Sequence, residues 1–281
     1  MRKIHTKKKK IDLLTSIVMG ILNITDNSFY DGGQYNSEEK ILSHTKKMLE
    51  EGASIIDLGA QSSKPDSEPI SEKEETEKLV STIHLLKQNF PEIIISIDTY
   101  RSIVAEKCIN SGADIINDIS AGEMDEEMFA TIAKLKVPYI IMHMKGTPKM
   151  MQNNPKYNNV TEEVFSYLEK KVNKLKQLGV TDIIIDPGFG FGKTIKHNYQ
   201  LLNHLEKFTQ LGVPLLIGAS RKSMIYNLLE TNAENALNGT TVAHTIALQK
   251  GINIIRTHDV KEAMECIKIV NFVKNNFNGN I

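Results

Sequence analysis

Eight short apolar runs, rich in β-branched residues and each leading into a polar one, constrain this 281-residue chain more than any other feature. They are Ile17–Asn23, Ile55–Asp57, Ile93–Asp98, Ile115–Asn117, Tyr139–His143, Ile183–Asp186, Leu215–Ile217 (running on to Ser220) and Ile254–Arg256. Such runs read as strands covered on both faces, which is what a parallel sheet produces. Segments of helical period and mixed charge separate them, among them Ser37–Glu51, Ser71–Asn89, Thr161–Leu178 and Asn235–Lys250. Gly52, Gly112, Gly179, Gly212 and Gly251 each fall after a helical segment and just before a strand, where a left-handed C-cap suits glycine. β-then-α alternation repeated eight times predicts an α/β fold, a single-domain (β/α)8 TIM barrel over residues 1–281. Residues 1–14 read as a tail or as a segment covering the barrel floor. A doubly wound open sheet fits less well, because no Gly-x-Gly-x-x-Gly follows the first strand. The length alone would suit two domains, but no Pro/Gly/Ser-rich linker divides the chain, and barrels of roughly 250 residues fold as one.

Lys+Arg and Asp+Glu both number 34, so the formal net charge is zero. Nucleic-acid and membrane-surface proteins usually carry a clear basic excess, so neither partner is expected. The two cysteines, Cys108 and Cys266, are too few for a disulfide framework or a zinc site, which suits a reduced, cytoplasmic setting. Lys7–Lys10 followed by Leu13–Leu22 has the outline of a secretory leader, but Asp12 interrupts it and no small-residue cleavage site follows. No apolar run reaches the roughly 18 residues that a membrane span needs.

In a barrel of this kind the active site lies at the C-terminal ends of the strands. Those ends carry Asn23, Asp57, Asp98, Asn117, His143, Asp186, Ser220 with Lys222 just beyond, and Arg256 with His258. The stretches Thr25–Gly33, Ser62–Pro69 and Lys145–Asn159 are candidate lids above them. Asp186-Pro187-Gly188-Phe189-Gly190-Phe191-Gly192-Lys193-Thr194 has the look of a phosphate loop, but Pro187 takes the first glycine position and has no N–H to offer. Phe189 and Phe191 are instead expected to be exposed at the mouth and to stack on a flat ligand. Converging carboxylates at Asp57, Asp98 and Asp186 raise one another's pKa or bind cations or ligand N–H groups, and a heterocycle rich in N–H donors would satisfy them. Ser220-Arg221-Lys222-Ser223 and Arg256-Thr257-His258 put cations after the last two strands, a common place for phosphate in barrels. The eight histidines show no metal-binding spacing, and His197, His204 and His244 fall on helical segments. A hydrated Mg2+ held by one side chain and a ligand phosphate would leave no pattern.

Taken in order, Met19-Gly20-Ile21-Leu22-Asn23, Asp31-Gly32-Gly33, Ser96-Ile97-Asp98-Thr99, Gly112-Ala113-Asp114-Ile115-Ile116-Asn117-Asp118, Met142-His143-Met144, the Asp186–Lys193 loop, Ser220-Arg221-Lys222-Ser223 and Arg256-Thr257-His258-Asp259 closely resemble the dihydropteroate synthases. The likeness runs from about Ile17 to Val270. It implies a folate-biosynthesis transferase, usually a homodimer, that joins 4-aminobenzoate to 6-hydroxymethyl-7,8-dihydropterin diphosphate with Mg2+ and releases pyrophosphate. Carried over by motif, Asp57, Asp98, Asn117, Met142, Asp186, Phe191, Lys222 and Arg256 would surround the pterin, with Asp98, Asp186 and Lys222 catalytic. Asn23 would reach the metal and the diphosphate, together with Ser63, Arg256 and His258. Ser63, Lys64, Phe191 and Ser220 would border the aminobenzoate.

Two stretches depart from the family pattern. The first usually reads Thr-Pro-Asp-Ser-Phe and here reads Thr25-Asp26-Asn27-Ser28-Phe29; the second usually reads Ser-Thr-Arg-Pro-Gly and here reads Ser62-Ser63-Lys64-Pro65-Asp66. The second variant looks like that of sulfonamide-insensitive members, so reduced drug sensitivity is expected. Two rivals share the pterin pocket: a methyltransferase serving a corrinoid partner, and a non-catalytic pterin binder. Phe191 and Ser220-Arg221-Lys222 favour the synthase over the first, and only the altered loops support the second.

Overall fold

A computed structural model describes residues 3–7, 9–24, 34–60, 70–146, 151 and 154–277. Strands β3 (Ile17–Asn23), β4 (Ile55–Gly59), β5 (Ile95–Asp98), β6 (Ile115–Asp118), β7 (Tyr139–Met142), β8 (Ile183–Asp186), β9 (Leu216–Ile217) and β10 (Ile254–Thr257) form one all-parallel sheet. Its order is β8-β7-β6-β5-β4-β3-β10-β9, and a bridge from Ile185 to Leu215 joins the two ends. The sheet is a closed barrel.

Helices α1 (Gln34–Glu50), α2 (Glu72–Asn89), α3 (Ser102–Asn110), α4 (Met128–Leu135), α5 (Val160–Gln177), α6 (Ile195–Asn203), α7 (Ser223–Tyr226), α8 (Leu237–Gln249) and α9 (Val260–Phe277) connect the strands. Local chemistry sets their starts. The Ser71 side chain accepts from the Glu74 amide at α2, and Asn159 accepts from Thr161 and Glu162 at α5; a cap of this type contributes about 1 kcal/mol. Gly52, Gly112, Gly179, Gly212 and Gly251 all take positive φ, as their places between helix and strand predict.

The strands observed differ from those read in the sequence by a residue or two, for local reasons. Ile93 donates its amide to Phe90 and so belongs to the turn after α2, which starts β5 at Ile95. The Leu215 amide donates to the Asn253 side chain at 2.9 Å instead of to the ladder, and β9 shrinks to Leu216–Ile217.

An inner core fills the barrel: Ile17, Met19, Ile55, Ile115, Ile140, Ile184, Leu216 and Ile254. The hairpin of β1 (Lys3–His5) and β2 (Lys10–Asp12) adds Ile4 and Ile11, with Leu13 following, and seals the bottom. The N-terminal segment therefore covers the floor. A second, larger core lies between the strands and the helices.

Side chains alternate in and out along a strand, so a residue two positions beyond an inward apolar one also points in. Two steps up from Ile55, Ile115, Ile140, Ile184 and Ile254 stand Asp57, Asn117, Met142, Asp186 and Arg256. The inner layers change from apolar to polar between floor and mouth, and that change builds the site.

Candidate active site at the barrel mouth

Arg256 ties the polar layer together. Its Nε donates to Asp57 Oδ2 at 2.6 Å and its second guanidinium nitrogen to Asp98 Oδ2 at 2.9 Å. Asn117 Nδ2 donates to the same Asp57 oxygen at 3.0 Å. Asp57 is fully buried beneath the mouth, and its Oδ1 has no hydrogen-bond partner; nor does the neighbouring Ser96 Oγ. Burial pushes the Asp98 carboxyl up to about 7, against the pull of Arg256 and helped by Asp57. Of the consequences expected of converging carboxylates, the bound cation is present, and the raised Asp98 pKa comes chiefly from burial.

Asp186 and Lys222 face each other across the end of β8. Burial raises the Asp186 pKa, opposed by Lys222 and by the Gly188 amide, which donates to Oδ1 at 2.7 Å. Burial draws Lys222 down to about 8, with Asp186 pulling the other way. The Lys222 ammonium donates to the Phe189 carbonyl at 2.5 Å and lies 4.5 Å from the centroid of the Phe191 ring.

The loop after β8 differs from its sequence reading. Phe189 is wholly buried in the outer core, and Phe191 is 9% exposed, packed with Met142 and Met151. Neither ring stands free at the mouth: the loop folds down because its backbone carbonyls are tied by Lys193 and Lys222. Lys193, at the end of the same loop, is buried too.

Two further placements, His143 and Arg221, correct the sequence reading, whereas His244 is a helical packing residue as read. His143 is one residue beyond inward-facing Met142, so it turns outward and packs edge-on against Tyr167 at 4.9 Å. Arg221 faces away from the mouth, making a two-pronged pair with Asp259 at 2.9 Å and 2.9 Å and bonds to the Ala233 and Glu234 carbonyls. That leaves Lys222, not Arg221, as the cation of this turn that faces the mouth. His244, on α8, is buried with both ring nitrogens unpartnered.

Other assigned residues lie where the strand ends place them. Asn23 ends β3, and a Cβ on Gly59 would stand 3.4 Å from its Oδ1. The Ser220 hydroxyl accepts from the His258 amide at 3.3 Å, which ties the ends of β9 and β10. Ser63 and Lys64 lie outside the described residues, as do Asp26, Asn27 and Asp66.

Sequence reading missed a buried cluster beside Asp98. Thr99 Oγ1 donates to Glu75 Oε1 at 2.7 Å, the Arg101 guanidinium donates to Glu75 Oε2, and Arg101 also reaches the Ile70 carbonyl at 2.9 Å. One signal was available: Glu75 stands four residues before Leu79 on the apolar stripe of α2.

The pterin binding enzyme family model matches residues 19–258. The chain is 41% identical over 269 residues to the dihydropteroate synthase of Haemophilus influenzae, covering 95% of this chain and 97% of that protein. The chain belongs to the dihydropteroate synthase family. Among solved family members, the Yersinia pestis dihydropteroate synthase in complex with a sulfonamide drug superposes with a TM-score of 0.91 at 36% identity, covering 97% of this chain and 99% of that one. The Xanthomonas albilineans dihydropteroate synthase with 4-aminobenzoic acid gives 0.90 at 32% identity, covering 97% and 98%.

Proposed function

We infer that this chain condenses 6-hydroxymethyl-7,8-dihydropterin diphosphate with 4-aminobenzoate to 7,8-dihydropteroate, releasing pyrophosphate. Its family membership carries the reaction. The observation in the molecule that supports it is the polar layer around one mouth, with Asn117 and Asp186 buried and Asp98 and Lys222 half-buried. That layer offers acceptors and donors to a flat heterocycle with ring N–H groups.

The chemistry is a substitution at the pterin methylene. The carbon–oxygen bond to diphosphate breaks with its electron pair leaving on oxygen, a carbon–nitrogen bond forms, and the arylamine loses a proton. Asp98 and Asp186 stabilise the positive charge that develops on the pterin, directly or through its ring N–H groups. The amine is neutral at pH 7, so positioning it matters more than deprotonating it. Phe191 and Ser220 border its place, with His258 and Asn23 on the diphosphate side.

Mg2+ fits the donor set as an ion shared with the substrate. Among the described residues no group of three or more His, Cys, Asp or Glu could hold a metal, and Asn23 offers one neutral, hard oxygen at a strand end. When bound, Mg2+ would neutralise charge on the departing diphosphate. Release of pyrophosphate that requires both substrates tests the whole reading. A corrinoid-linked methyltransferase or a non-catalytic binder would release none.

We also propose a homodimer and a cytoplasmic setting. Val242 on α8 and Ile269, Phe272 and Val273 on α9 are exposed apolar side chains on adjacent helices, and the last three share one face by their spacing. Cys108 and Cys266 are buried free thiols, and no described helix is long and apolar enough to cross a membrane. Weaker sulfonamide inhibition follows from Lys64, which cannot make the planar contact of arginine, and from the added charge at Asp66. Restoring Thr, Arg and Gly at Ser63, Lys64 and Asp66 should lower the sulfonamide inhibition constant more than the aminobenzoate KM. Equal movement of the two would reject this.

A further inference from the structure

Lys193 follows the glycine-rich loop after β8, yet its side chain turns back inside the protein and is 3% exposed. Its Nζ lies 2.8 Å from the Gly188 carbonyl, 3.0 Å from the Phe191 carbonyl, 3.3 Å from the His143 carbonyl and 3.0 Å from His143 Nδ1. Two of these partners belong to the loop and two to the residue after β7. One buried side chain therefore closes the loop on itself and fastens it to the neighbouring strand. The loop and the end of β7 are pressed together at this point, since a Cβ on Gly188 would stand 2.0 Å from the His143 carbonyl oxygen.

Residues held by this knot are those that orient the mouth. Gly188 supplies the amide to Asp186, Phe189 supplies the carbonyl to Lys222, and Phe191 lies against Lys222. We propose that Lys193 is a positioning residue for the pterin ring, setting Asp186, Lys222 and Phe191 through the loop without touching substrate itself; this rests on the pterin reading of the mouth. An ammonium has three protons and no lone pair, so it satisfies carbonyls that a hydroxyl or an apolar side chain would strand. His143 Nδ1 then acts as acceptor, which requires a neutral ring. Burial, and after it the Lys193 charge, hold that imidazole down to about 2. Burial also lowers the Lys193 pKa, with Asp186 opposing and Lys222 adding to the shift.

The test compares two ligands on the full chain, 6-hydroxymethyl-7,8-dihydropterin without its diphosphate and inorganic pyrophosphate. Lys193→Met keeps the stem and removes the donors. It should weaken ring binding about tenfold or more, from stranded carbonyls and a loosened loop, and leave pyrophosphate within about twofold. Lys193→Gln, which returns two donors on a shorter stem, should recover part of the ring affinity and serves in place of Lys193→Met if that variant does not fold. Equal losses for both ligands would mean a general structural role and overturn the proposal, as would unchanged ring affinity. Wild-type protein that fails to bind the ring would instead overturn the pterin reading of the mouth.

Discussion

Arg256 sets the charge that the mouth carries before any ligand arrives. It is shared by Asp57 and Asp98, and with Lys222 beside Asp186 two cations offset all but one of the three carboxylates, so the site is not strongly anionic and can accept an anionic diphosphate. Asp98 and Lys222 titrate on either side of the working range, at about 7 and about 8. Below the first, Asp98 takes up a proton and loses the charge that faces the developing cation. Above the second, Lys222 gives up its charge. kcat/KM for the pterin diphosphate should therefore rise through about pH 7 and fall beyond about pH 8. Asp98→Asn should flatten the acid limb and keep the alkaline one; an unaltered acid limb in that variant would assign it elsewhere. Asp186→Asn should fold normally but mispair the ring, at a cost of about 1–3 kcal/mol, so kcat/KM should drop about tenfold or more. At this scale the sequence was informative where the polar residue ending an apolar run falls in register with the inward face, as at Asp98, Asn117 and Asp186. It misled at His143 and Arg221, where direction matters: one step along a strand reverses the face, and Arg221 sits in a turn at φ 52° whose partner is 38 residues away.

Elements join the site to its surroundings through buried charge. Glu75 on α2 meets Thr99 and Arg101 between β5 and α3. Burial raises the Glu75 pKa against the pull of Thr99 and Arg101, so its charge is tolerated only while they stay. Arg101→Met strands that carboxylate and should cost about 3–5 kcal/mol in a denaturant melt. The loss should shrink as pH falls, because the stranded carboxyl is protonated. Pairing the change with Glu75→Leu should restore much of the stability, and a double variant as weak as the single one would show that packing, not charge, is at stake. The strands and the helical segments read from the sequence were legible to within three residues because periodicity and capping are local signals. The loop after β8 was not, since Phe189 and Lys193 are buried by contacts with β7 and with the turn after β9 that no local pattern encodes.

For the molecule as a whole, the barrel was legible from alternation alone, because eight parallel strands leave few other ways to cover both faces of a sheet. The surface that the proposed second copy would cover was not. The exposed stripe of Ile269, Phe272 and Val273 on α9 leads us to expect that Phe272→Glu yields a monomer by sedimentation, with the fold intact by circular dichroism. An unchanged sedimentation coefficient would remove α9 from the interface. The floor hairpin has a further consequence, one of timing. Ile4 and Ile11 leave the ribosome before any barrel strand, yet the core they join includes Ile184, Leu216 and Ile254 from the last three strands. Until the final strand is synthesised, the first segment has only part of its seat, so it must wait unpaired or be shielded while the rest of the chain emerges.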